Sequence, residues 1–192
     1  MADVNSFKRD LEEASRKYSE GDFRSAFDKY LKLATEGHND SQVFVGWMLD
    51  KGIGVSKNSE SAAEWFKRSA SLGSIQGSFY YALYLIKHGK QNEAFEWIEK
   101  SASKGDIPSI FRLGYMYVHG NGTNINMDKG LYHLESAAKS NHIYAMRELA
   151  VLDMKGYRGV VKRLLSPFKF IYTLCLGFVT VMNDQYSENL RR

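Results

Sequence analysis

The sequence predicts an all-α fold, a solenoid of stacked helix hairpins followed by an apolar C-terminal segment. Three observations predict it. Small residues return at a fixed interval, at Ala14, Gly46, Ala82, Gly114 and Ala150, spaced 32, 36, 32 and 36. A second set, Ala26, Ala62, Ala94 and Gly130, follows the first four by 12 or 16 residues. Each unit then closes on Gly37, Gly73, Gly105 or Asn141, the residue types that accept left-handed backbone just past a helix end. Periods of this length mark repeat architectures, in which one unit cannot bury its apolar side alone and stacks on the next.

The elements follow in order. Each unit reads as two helices and a turn. Units one and three turn tightly, at YSEGDFR (18–24) and KHGKQNE (87–93). Units two and four insert four residues, giving KGIGVSKNS (51–59) and HGNGTNINM (119–127). The insertion lengthens a loop and leaves the helix register intact, as a solenoid allows. The glycines in both loops meet the need for positive φ and match no phosphate-binding fingerprint. Asn121-Gly122-Thr123 has the form of a glycosylation acceptor and reads here as a polar turn. The second helices, SESAAEWFKRSAS (59–71) and QNEAFEWIEKSAS (91–103), place charge on one side and aromatics on the other. Trp65 and Trp97 are expected as core anchors, with His133 in the same slot.

The first helices are unusual. VFVGWML (43–49), SFYYALYLI (78–86) and IFRLGYMYV (110–118) are apolar nearly all round. A helix of that kind is covered on both sides. Stacked repeats cover one flank, so the other calls for a partner, a membrane or the chain's own tail. Trp47, Phe79, Leu83, Phe111 and Tyr115 are the candidate partner contacts, since aromatic anchors dominate interfaces. Lys51, Lys87, His119 and Lys155 recur at the ends of successive first helices, where cations suit the helix dipole. A rail for an acidic peptide is the other reading of these four.

VGWMLDKGIGV (45–55), AAEWFKRSA (62–70), LGYMYVHGNG (113–122) and KGLY (129–132) resemble the Sel-1-like repeat family, relatives of the tetratricopeptide repeats, over residues 5–156. The resemblance implies a right-handed solenoid with the first helices on its inner face. It also implies a bacterial, non-catalytic scaffold that holds protein complexes together, often at membranes.

Residues 157–192 leave the pattern. Residues 155–192 carry seven basic side chains against two acidic ones, and the whole chain is +4, so residues 1–154 sum to −1. The basic pI belongs to the tail, and nucleic acid is not an expected partner. Phe170 to Met182 holds 13 uncharged residues, about 20 Å of helix against a bilayer core of about 30 Å. Extending to Leu164 brings in Pro167 and Lys169, and transfer energies of roughly −3 to −6 kcal/mol meet a lysine cost of roughly +2.5 to +3.5. Candidate membrane contacts are Lys162, Arg163, Phe168, Lys169, Phe170, Ile171, Leu174 and Phe178, with Lys169 snorkelling. The competing expectation is a helix that caps the last repeat or fills the groove, docking by Leu164, Phe168, Ile171, Cys175, Phe178 and Met182.

A lone Cys175 excludes an internal disulfide, and the five histidines show no ligand spacing, so neither metal nor cofactor is expected. No catalytic motif is present, and the expected class is not an enzyme. The first ten residues lack an apolar signal core, which points to a cytoplasmic protein, peripheral or tail-anchored at the inner membrane. The sequence thus predicts a protein-interaction scaffold that assembles a protein or peptide partner at the cytosolic face of a membrane. The alternative is a soluble adaptor whose C-terminal helix caps or fills its own groove.

Overall fold

The computed structural model describes residues 4–189, with side chains over residues 6–181, so Met182 lies outside the described side chains. The described residues form ten α-helices in two compact units, Met1–Lys104 and Gly105–Arg192. Unit 1 holds α1 (Val4–Ser19), α2 (Phe23–Thr35), α3 (Asn39–Lys51), α4 (Ser59–Ser71), α5 (Ile75–Lys87) and α6 (Gln91–Ala102). Unit 2 holds α7 (Ile107–His119), α8 (Met127–Lys139), α9 (Ile143–Met154) and α10 (Val160–Asn189). Within each unit every helix packs on the next, so the chain is an all-α solenoid of helix hairpins ending in an apolar helix.

Caps explain the boundaries. His38, Ser74, Asp106 and His142 cap α3, α5, α7 and α9, each accepting a hydrogen bond from the backbone N–H three residues on. Asp22, Asn58 and Asn126 do the same for α2, α4 and α8. Such caps satisfy N–H groups that the helix leaves unpaired. The closing residues behave as the spacing predicts. Gly37, Gly73 and Gly105 hold φ of 99°, 92° and 85°, and Asn141 is left-handed at 60°.

Both sets of small residues are buried, because they sit where helices cross. A methyl on Gly114 would lie 2.9 Å from the backbone nitrogen of Leu134 and 3.0 Å from the carbonyl oxygen of Gly130. Neither neighbour is a flexible side-chain end. Gly114→Ala is therefore expected to cost about 1–3 kcal/mol through overpacking, read as a lower urea midpoint with an unchanged slope.

Trp65 and Trp97 are not core anchors. Both are half-buried, and the buried side chains are their neighbours Phe66 and Ile98. One residue's rotation, about 100°, separates the core from the rim of a helix. On the rim, Arg68 lies over the Trp65 ring and Lys100 over Trp97, each 5.2 Å from the centroid.

The non-repeating tail is also structural. Ser166 follows Ala150 by 16 residues, the interval from Gly46 to Ala62 and from Gly114 to Gly130. Ser166 and Thr173 are buried where α10 packs on α9, with Phe170 half-buried between them. These slots match Ala62, Phe66 and Ser69 of α4. Helix α10 is thus the second helix of a fifth hairpin, paired with α9. Pro167 sits inside it without an N–H to offer the Arg163 carbonyl. The Ser166 hydroxyl donates to that carbonyl at 2.6 Å and replaces the missing bond.

Candidate functional site

Helices α3, α4 and α5 line a cavity of about 540 Å³ in unit 1. Trp47, Tyr80, Leu83 and Tyr84 supply its apolar walls, with Ala62 and Phe66 behind them. Asp50, Lys51, Lys57 and Lys87 supply its charge. Lys51 is paired with Asp50 at 3.0 Å. The loop carrying Lys57 is fixed, because the Asn58 N–H donates to the Leu49 carbonyl at 2.9 Å. Trp47 and Tyr80 also line a second hollow of about 440 Å³ with Tyr18, Asp40, Val43, Phe44 and Gln76. Asp40 opens α3 and Lys51 closes it, so the two hollows run along the helix from an acidic end to a basic one.

The structure therefore brings Trp47 and Leu83 into one cavity. Phe79 lies beside it, half-buried, its ring 5.9 Å from that of Tyr80. In unit 2, Phe111 and Tyr115 are half-buried with ring centroids 6.2 Å apart. All five candidate contacts are thus partly covered. The first helices are not apolar surfaces open along a whole flank, because their aromatics lean on neighbouring rings: Phe44 of α3 lies 4.4 Å from Tyr30 of α2 and 5.5 Å from Trp47.

His142 closes the unit 2 row, its ring stacked on Phe111 at 4.6 Å. Its Nδ1 accepts from the Ala145 N–H at 3.3 Å, which requires that nitrogen to be unprotonated. Burial, then the nearby Arg112 charge, hold His142 below its ordinary value, against a weaker pull from Asp106. A base with a lowered folded value takes up its proton first in the unfolded chain. Its stability contribution is complete above about pH 6.5 and is lost as pH falls from there through the folded value. His142→Asn keeps a capping acceptor and removes the titration. We expect it to flatten the decline in urea midpoint between pH 7.5 and pH 5.

The large exposed apolar surface lies on α10. The docking face is Ser166, Phe170 and Thr173, with Gly177 near Ile143 of α9. The face expected to dock is turned outward, with Leu164, Phe168, Ile171 and Phe178 exposed by 70, 74, 58 and 67 %. Small hydroxyl residues let two helices approach, and the larger side chains are left outside. Lys162, Arg163 and Leu174 are exposed, whereas Phe170 is half-buried against the protein. Lys169 does not project freely, since its Nζ lies 3.7 Å from the buried carboxylate of Asp153. Asp153 and Arg158 carry the junction of α9 and α10, and the repeat pattern did not single them out. Residues 160–181 are long and apolar enough to cross a membrane by length and composition.

Comparison with known proteins gives a consistent result. An uncharacterized protein of Neisseria meningitidis serogroup B is 32% identical over 126 residues, covering 64% of this chain and 26% of that protein. The chain thus spans about a quarter of that relative's length. A Sel1 repeat protein from Oxalobacter formigenes superposes with a TM-score of 0.75 at 22% identity, over 88% of this chain and 68% of the other. A protective antigen of uropathogenic Escherichia coli, described as displaying an SLR fold, superposes at 0.74 and 21% identity, over 86% of this chain and 38% of that one. At these identities the likeness is one of fold. The Sel1 repeat model matches residues 39–74, 78–106 and 107–142, more than half of the chain. The chain therefore belongs to the Sel1 repeat family, whose members generally act as protein-interaction scaffolds.

Proposed function

We propose that this chain is a scaffold that holds a protein partner at the cytosolic face of a bacterial inner membrane. In this reading α10 lies in the membrane surface, and Trp47, Phe79, Leu83, Phe111 and Tyr115 contribute partner contacts. One observation carries the membrane half. The outward slots of the second helices are polar in α4 (Glu64, Lys67, Arg68, Ser71) and in α6 (Glu96, Glu99, Lys100, Ser103), and all are exposed. The same slots of α10 hold Phe168, Ile171, Tyr172 and Cys175, also exposed. These slots meet water with polar side chains in α4 and α6, hold one exposed aromatic, Tyr132, in α8, and carry Phe168, Ile171, Tyr172 and Cys175 in α10, as a lipid-facing surface would. At 100° per residue, Lys162 and Arg163 project roughly 120–140° from the centre of that apolar arc, at the headgroup side of a helix lying flat, while Lys169 is turned to Asp153.

Docking on α9 and crossing the bilayer exclude one another. A spanning α10 would carry Arg147, Glu148 and Asp153 of α9 into hydrocarbon. We therefore favour an in-plane anchor. The second reading, a soluble adaptor with α10 as an end cap, draws on the docked Ser166, Phe170 and Thr173 face. Flotation of the purified full chain with phosphatidylglycerol-containing vesicles separates the two. The membrane reading expects the protein in the vesicle fraction; a chain left at the bottom of the gradient sinks it.

A further inference from the structure

We propose that the unit 1 cavity binds an acidic segment of a protein partner. Carboxylates would meet Lys57 and Lys87, and apolar side chains would lie against Trp47 and Leu83. The inference rests on the scaffold reading and specifies the partner's chemistry.

The argument is a comparison of equivalent slots, which lie 68 residues apart in the two units. In unit 2, His119 occupies the slot of Lys51, and Glu148 that of Tyr80. His119 Nε2 lies 2.9 Å from Glu148 Oε1, so the side chain that ends one first helix is already engaged by an acid of the next first helix. Ile125 stands where unit 1 has Lys57. Unit 2 therefore supplies its own acid and carries less positive charge at this place.

Unit 1 has the opposite composition. Tyr80 replaces the acid, and three lysines line the cavity. Asp50 pairs with Lys51 and leaves Lys57 and Lys87 with no ion pair among the described residues. Both are exposed and sit above an aromatic wall. Charge complementarity asks for carboxylates from outside the chain. It also disfavours the chain's own basic tail as the occupant. The adjoining hollow, bordered by Asp40, is apolar with one negative charge. An extended segment would thus lie with its acidic part over the lysines and its apolar part towards Val43 and Phe44.

The test uses the full chain without vesicles and two fluorescein-labelled decapeptides, one alternating glutamate with leucine and one alternating lysine with leucine. The acidic peptide is expected to bind and the lysine peptide not. Replacing both Lys57→Gln and Lys87→Gln should weaken the acidic peptide about tenfold, as two partly exposed charge pairs would. The control, Lys8→Gln with Lys139→Gln, should change it less than twofold. Tyr80→Glu, which rebuilds the internal acid of unit 2, should also suppress binding, and its urea midpoint reports whether the variant folds. Equal binding of both peptides, no binding of the acidic one, or indifference to the Lys57 and Lys87 changes overturns the proposal. If Trp47→Ala abolishes binding while the lysine changes do not, the interaction surface stands and the acidic partner falls. Vesicle flotation is read separately, so the membrane half of the functional reading succeeds or fails on its own.

Discussion

Exchanging Phe168, Ile171 and Phe178 for aspartate is expected to release the protein from anionic vesicles while leaving its fold intact. Full burial of such a side chain is worth about 1.5–3 kcal/mol, and partial immersion in the headgroup boundary roughly half of that, so three together imply a loss of partitioning between roughly fiftyfold and a thousandfold. The fold should not notice. The three side chains project away from α9, and each is more than half exposed. The urea midpoint and helical signal should therefore match the parent protein. Lys162→Gln with Arg163→Gln should act differently. Each basic residue near an anionic surface contributes about 1 kcal/mol, so binding should weaken on anionic vesicles and stay unchanged on neutral ones. If the aspartate variant floats as well as the parent, the outward face of α10 is not what meets lipid. If it fails to fold, the face described as free is packed, and the reading fails on structure.

The hairpins were legible because the interval between small residues is set by helix crossings, and a crossing tolerates little else. Gly46 shows the constraint, since a methyl there would lie 2.6 Å from the Phe66 ring. The fifth hairpin was hidden for a physical reason. Its second helix kept the small slot, at Ser166, but exchanged the polar outward slots for apolar ones, so the amphipathic signature inverted. Periodicity picked out the large apolar side chains as the docking face of α10 and missed the face that packs, because Ser166 and Thr173 are small enough to bury and polar enough to look exposed. The two candidate contacts that share the cavity, Trp47 and Leu83, come from successive first helices at one register. The basic lining was half visible. Lys51 and Lys87 recur with the period, but Lys57 comes from the inserted loop and is placed only by the turn that folds it back.

Asp153 is expected to be the most sensitive position in unit 2. Its slot holds Leu49, Leu85 and Tyr117 in repeats two to four, all buried, with half-buried Lys17 in the first, and Asp153 is itself fully buried. A carboxylate in a core slot requires partners. Arg158 Nε donates to one oxygen at 2.6 Å and Nη2 to the other at 2.8 Å, while Nη1 reaches Glu135 of α8 at 2.7 Å. Burial alone would lower Arg158, but its bonds to Asp153 and Glu135 outweigh it and raise the value. Lys169 of α10 approaches the same carboxylate, so Asp153 joins α9, the connecting turn and α10, and Arg158 extends the cluster to Glu135 of α8. Asp153→Ala would leave the largely buried Arg158 short of its main counter-charge, and breaking a buried pair in this way costs about 3–5 kcal/mol. Replacing both partners, Asp153→Leu with Arg158→Met, removes the stranded charge and should cost distinctly less. Urea unfolding measures both, and hydrogen exchange across residues 160–177 should rise in Asp153→Ala as α10 loosens from α9. A single variant within 1 kcal/mol of the parent, on the scale of an exposed pair, would show that the node does not hold α10 in place.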